Sequence, residues 1–265
     1  PFVDSGRDSG GRYFVAMAYM KGVDLDGLRT LVGLEPKSVF DSTAPIRIPD
    51  KIVGFIMFMV LRALGYAHEY EFDDGSRGII HRDVSPGNIL IDEAKGFVKL
   101  TDFGVAAQQS ETKTSIDIAG KVPYMAPEML TEGRVDARAD LYSLGVVFYE
   151  LLTGFNPNMN TSSVANVISA ITSVMMAFDR PLRPPHEVVR GIDPEISRIV
   201  ERMLATDPNE RYRSADEVAA DLTFYLYSPG VGPNTTSLAS YLRLMRDPES
   251  VPTTRDLNAL PFVMT

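Results

Sequence analysis

The sequence predicts an α+β domain, mainly helical, on three observations. Short strand-like apolar runs come first, longer helical patterns follow, and 45% apolar with 23% charged residues over 265 positions is a globular composition. That composition excludes a collagen, a disordered tail and a low-complexity linker. The length suits one large domain or two lobes. Lys and Arg number 26 against 35 Asp and Glu, a net charge of −9. This charge repels nucleic acid and anionic membrane where no basic cluster exists, and the sequence shows none. The absence of Cys excludes disulfides, thiolate catalysis and Cys-ligated metal, and fits a reducing, cytoplasmic setting. His68, His81 and His186 lie too far apart in sequence to suggest a His-rich metal site.

Phe2 and Val3, then residues 13–20, read as two strands joined by a turn containing Gly6, Gly10 and Gly11. A short helix follows at 25–32, and a Pro-rich polar loop occupies 33–49. Asp50 then reads as the cap of a helix running to about Tyr70. Its apolar stretch, 52–67, is shorter than a bilayer-spanning helix and contains Arg62, so it predicts a buried helix and no membrane segment. Two apolar runs, 89–91 and 97–100, flank a polar turn like a hairpin, and 104–120 has no periodicity. Residues 141–153 are apolar nearly all round and end at Gly154, the pattern of a helix buried on every side. Pro194 behind Asp193 opens another helix with an apolar face of Ile196, Ile199, Val200, Met203 and Leu204. Ser214 and Glu217 form a capping box for a helix to about Tyr227, and a short amphipathic piece spans 238–245.

The chemistry lies between Ile79 and Gly104. His81-Arg82-Asp83-Val84-Ser85-Pro86-Gly87-Asn88 is followed, after one hairpin, by Asp102-Phe103-Gly104. Phosphoryl transfer asks for one carboxylate at the attacking hydroxyl and separate oxygen ligands for magnesium on the phosphates. In residue types and separation this segment resembles the eukaryotic-like (Hanks-type) Ser/Thr protein kinases, in a bacterial style, whose catalytic loop is H-R-D-x-x-x-x-N and metal turn D-F-G. Ala126-Pro127-Glu128, Asp140 to Gly145 and Asp207-Pro208-Asn209-Glu210-Arg211 extend the resemblance in the family's order.

The resemblance implies a kinase-like fold, mainly its helical C-terminal lobe, with ATP and Mg2+ as cofactors and a protein as substrate. It implies Asp83 as base, Asn88 and Asp102 as metal ligands, Glu128 and Arg211 as a buried ion pair, Asp140 holding the catalytic-loop backbone, and His81 stacked on Phe103. Upstream, Tyr13 to Leu25 resembles the fifth strand and hinge. This puts Met17 at the gatekeeper, the backbone of Ala18 and Met20 against adenine, and Asp24 near the ribose, with Leu90 completing the nucleotide side. Residues 1–20 then end a small lobe, 21–227 form the helical lobe, and 228–265 are a tail with one short helix.

Two departures matter. Ser85 and Lys121 stand where Ser/Thr kinases of this family usually carry the catalytic-loop Lys and an activation-segment Thr. The replacement leaves either a working site in which Lys121 supplies the missing cation, or an impaired one, a pseudokinase acting as a nucleotide-binding or scaffolding module. Arg82 suggests control by phosphorylation, with Thr112, Thr114 and Ser115 as candidates. The family's Gly-rich loop, strand Lys and αC Glu find no match here. The resemblance therefore predicts a kinase chain lacking most of the small lobe and inactive without it.

Overall fold

The computed structural model describes residues 2–33, 48–103, 119–131, 134–159, 167–228 and 230–246. The two front strands pair antiparallel as a ribbon, β1 (Phe2–Arg7) with β2 (Tyr13–Met17). Gly6 lies within β1, outside the turn to which the sequence assigns it. β2 ends before residues 18–20, also read as strand, because the ladder's last pair is Met17 with Phe2.

A second sheet has the order β3 (Gly22–Asp24), β4 (Ile89–Asp92), β5 (Val98–Leu100), all antiparallel. β4 and β5 are the expected hairpin; β3 is not read from the sequence. A Cβ at position 22 would come within 1.9 Å of the Ile91 carbonyl oxygen. Only glycine lets β3 lie this close to β4.

Helix α1 (Leu25–Leu31) is capped by Asp24, whose Oδ1 accepts from Gly27 N at 2.7 Å. Pro49, not Asp50, stands at the N-cap of α2 (Asp50–His68). Asp50 sits in the first turn and accepts from the Asp193 amide at 2.9 Å. At 19 residues α2 is long and apolar enough, by length and composition, to cross a bilayer, which revises the shorter sequence estimate. Its apolar residues from Ile52 to Leu64 are instead packed in the core of the fold.

The remaining helices are α3 (Pro127–Leu130), α4 (Arg138–Thr153), α5 (Val167–Phe178), α6 (Pro185–Val188), α7 (Pro194–Met203), α8 (Ala215–Tyr227) and α9 (Thr235–Arg246). Every residue of α4 from Ala139 to Thr153 is buried, and Gly154 ends it at φ +80. The Asp193 side chain caps α7, accepting from Glu195 N at 2.8 Å. At α8, Ser214 Oγ accepts from Glu217 N, while the Glu217 carboxylate reaches back to Arg213 N rather than to Ser214 N. α5 and α6 escape the sequence reading: α5 has no charged face to give contrast, and α6 is a single turn between prolines.

α9 starts three residues before the expected amphipathic piece. It buries Leu238, Tyr241 and Leu242 in the main core. Its N-terminus abuts the β4–β5 turn, where Gly96 has φ +67 and a Cβ would meet Thr235 O at 1.9 Å. Its C-terminal Arg246 pairs with Glu93 on the same turn. Tyr241 is fully buried and its hydroxyl has no hydrogen-bond partner among the described residues. An unsatisfied buried hydroxyl costs about 1–3 kcal/mol, so Tyr241→Phe should stabilise the fold by roughly 1 kcal/mol. A urea midpoint that falls in the variant would instead show that the hydroxyl has a partner in solution.

Candidate active site

The catalytic-loop backbone hangs from one carboxylate. Asp140, fully buried in the first turn of α4, accepts the amides of His81 and Arg82, both at 2.8 Å. His68, at the end of α2, meets Asp140 Oδ2 through Nε2 at 2.8 Å. This third contact is not read from the sequence, although His68 is polar at the end of an apolar helix and needs a partner. The peptide at Arg82 is held in the left-handed region, φ +61, and so is Asp102, φ +63. Non-glycine residues avoid that region unless their surroundings impose it, and the only two with positive φ among the described residues fall here.

His81 is fully buried. Its Nδ1 accepts from Asp83 N at 3.2 Å and its Nε2 faces Thr101 O at 2.8 Å, which defines a neutral ring donating through Nε2. Burial pushes its pKa down and so favours this form. The ring lies 4.5 Å from Phe103, tilted by 58°, as the resemblance implies.

Asp83 projects from the loop that His81 and Asn88 brace. Asn88 Nδ2 donates to the Asp83 carbonyl at 2.7 Å, and Lys121 Nζ forms an ion pair with Asp83 Oδ2. Pro86–Asn88 is a 3-10 turn leading straight into β4. The ladder continues with Thr101 N donating to Asn88 O at 2.9 Å, so Asn88 and Asp102 flank one end of the hairpin beside Asp83. Asn88 donates through its nitrogen, which leaves its side-chain oxygen to accept. The Asp102 carboxylate is exposed, so both residues offer the hard oxygens that divalent cations favour. Among the described residues no group of three or more His, Cys, Asp or Glu could hold a metal unaided.

Of the residues expected to face a nucleotide, Asp24 of β3 pairs across the ladder with Leu90 of β4. Leu90 and Met20 are half-buried, and Met17 and Ala18 are exposed. The Asp24 carboxylate is engaged in capping α1. Gly104, Thr112, Thr114 and Ser115 lie outside the described residues.

Below the loop, Glu128 and Arg211 form the implied ion pair, at 2.6 and 2.8 Å. A second buried cluster is not read from the sequence. Tyr124 donates to Glu150 Oε2 at 2.7 Å, and Arg29 of α1 reaches Glu150 Oε1 at 3.1 Å. Burial pushes the pKa of both Glu150 and Tyr124 up. A lone Glu inside an otherwise apolar buried helix was the available signal, since such a carboxylate must be partnered.

Residues 5–222 match the family model described as protein kinase domain. The chain belongs to that family. The protein kinase domain here is 31% identical over 237 residues to the tyrosine-protein kinase MasK of Myxococcus xanthus, covering 88% of this chain and 34% of that protein. It is 33% identical over 213 residues to the serine/threonine-protein kinase PknB of Mycolicibacterium smegmatis, covering 79% and 30%. The chain thus spans about a third of the length of these curated relatives. Among solved structures, it matches the kinase domain of PknI from Mycobacterium tuberculosis with a TM-score of 0.54 and 27% identity, over 84% of this chain and 69% of that one. The α+β, kinase-like fold expected from the sequence is the fold of this chain. Protein kinases as a family use ATP and a divalent metal and act on proteins.

Proposed function

We propose that this kinase domain transfers the γ-phosphate of ATP to Ser or Thr hydroxyls of a protein, with Mg2+ as its metal. The observation that carries this reading is the convergence of Asp83, Asn88, Asp102 and Lys121 at one end of the β4–β5 hairpin. Asp83 orients the acceptor hydroxyl and takes its proton. Asn88 and Asp102 hold the metal, which when bound neutralises charge on the phosphates. Lys121, ion-paired with Asp83, places a positive charge beside the attacking oxygen in the position that Ser85 leaves without one. Met17, Ala18, Met20 and Leu90 line the adenine side, with Asp24 at its ribose end. Residues 1–20 serve as the end of a small lobe, and the domain works on the cytoplasmic side.

Lys121→Ala should lower turnover by more than tenfold, about 1.4 kcal/mol of barrier. Unchanged kinetics would reduce Lys121 to a structural partner of Asp83. The test of the function is phosphotransfer from labelled ATP, with and without Mg2+, by the 265-residue chain and by the complete native polypeptide. Phosphoamino-acid analysis of the product follows. Phosphoserine and phosphothreonine are expected. Phosphotyrosine alone would overturn the acceptor assignment, and nucleotide binding with no transfer from either protein would leave a binding module.

A further inference from the structure

A cavity of about 210 Å3 opens away from the catalytic residues, between α4, α5, the 180–183 segment and the end of α7. Its floor is Tyr142 and Tyr149 of α4, each at least 96% buried, with Phe178 edge-on to Tyr142 at 6.2 Å. Leu182 and Leu204 add apolar wall. Both phenols are spent on the protein: Tyr142 donates to Asn158 Oδ1 at 3.2 Å, and Tyr149 to the Arg183 carbonyl at 3.0 Å. Burial pushes both up to about 12, so the floor carries no negative charge at neutral pH.

The rim is cationic. Arg180 and Arg183 are exposed at the mouth, and neither guanidinium is ion-paired with a described residue. No Asp or Glu is among the described lining residues. Of the carboxylates that act on the two phenols, Glu128 is ion-paired with Arg211, and Glu201, which accepts from Ser197 Oγ and keeps its charge, does not line the cavity. An aromatic floor under unpaired cations, on a chain whose net charge is −9, is a local reversal of sign.

The geometry points to a second ligand site here, for a small aromatic anion: one ring on the Tyr142–Tyr149–Phe178 floor and a carboxylate or phosphate arm between Arg180 and Arg183. The volume agrees, since a cavity of about 150 Å3 holds benzene and the further space fits a short acid arm. The site is wired to the catalytic segment. Asn158, which forms part of the wall, donates through Nδ2 to Pro123 O at 2.8 Å, and Pro123 lies two residues from Lys121. Binding itself stands apart from the kinase reading; only an effect on turnover through Lys121 rests on it.

The test is NMR titration of the 265-residue chain with 3-phenylpropionate, and with 3-phenylpropylamine as the same ring bearing the opposite charge. Phenylphosphate tests the other anionic head group. The anions should give saturable changes at Tyr149, Phe178 and the Tyr124 amide below about 10 mM, and the amine none. The double variant Arg180→Gln/Arg183→Gln should weaken the anions at least tenfold. Ala177→Met, which fills the cavity from its half-buried wall, should abolish binding while leaving the far side of the fold unshifted. Equal response to anion and amine would overturn the proposal. So would binding that survives both variants, or no saturable change with any probe. A phosphotransfer assay on the complete polypeptide then reads coupling separately, so an inactive kinase would leave the binding result standing.

Discussion

Arg211→Ala is expected to destabilise the fold by about 3–5 kcal/mol, the cost of stranding one partner of a buried ion pair. The Arg211 side chain is 0% exposed and uses all five of its N–H donors. Nε donates to Ala205 O; Nη1 donates to Glu128 Oε1 and Arg138 O; Nη2 donates to Glu128 Oε2 and Thr206 O. Its Cζ also lies 4.8 Å from the Tyr142 ring centroid. One side chain therefore ties the end of the activation segment, the start of α4 and the segment after α7. Glu128→Ala should destabilise by a similar amount, and the double variant by much less than the sum. Chemical denaturation of the four proteins checks this, and additive losses below about 1 kcal/mol would mean that the pair is solvated.

Asp83→Asn should lower turnover by about 10²–10⁴-fold in the complete native polypeptide, the usual contribution of a positioned general base. The amide cannot accept the hydroxyl proton, but it is isosteric, and the loop stays braced because the bond from Asn88 goes to the Asp83 carbonyl. Nucleotide affinity should therefore stay nearly intact. Asp102→Asn should behave differently and weaken metal-dependent nucleotide binding as well. Equal, mild losses from both substitutions in steady-state and binding measurements would count against separate roles.

Much of this site was legible because its chemistry is local. The segments proposed as catalytic loop and metal turn, 81–88 and 102–104, lie within 24 positions, and the hairpin between them is a short-range pattern. The partners that support them come from afar. In sequence His68 and Glu150 show only that each needs a partner, and Asn158 not even that; the packing of α2, α4 and the 155–159 segment is what brings them to Asp140, Tyr124 and Pro123. The same limit explains the fold. α4 announced itself through its apolar run and terminal glycine, whereas β3 forms only because Gly22 permits close approach to a strand 67 positions later. α5 lacks the charged face that makes a surface helix visible.

The clasp of α9 on the β4–β5 turn has a consequence for biosynthesis. Glu93 and Arg246 are 153 positions apart. At about 5–20 residues per second, a ribosome needs roughly 8–30 s to make the intervening chain. Hairpin formation takes microseconds, so β4 and β5 can pair long before the helix that backs them exists. During that interval the nascent turn lacks its cover, and the apolar side chains destined to meet Leu238, Tyr241 and Leu242 face solvent or a chaperone. Ribosome-bound chains arrested before residue 235 should accordingly be cut by protease near Gly96, whereas chains arrested well beyond residue 246 should resist.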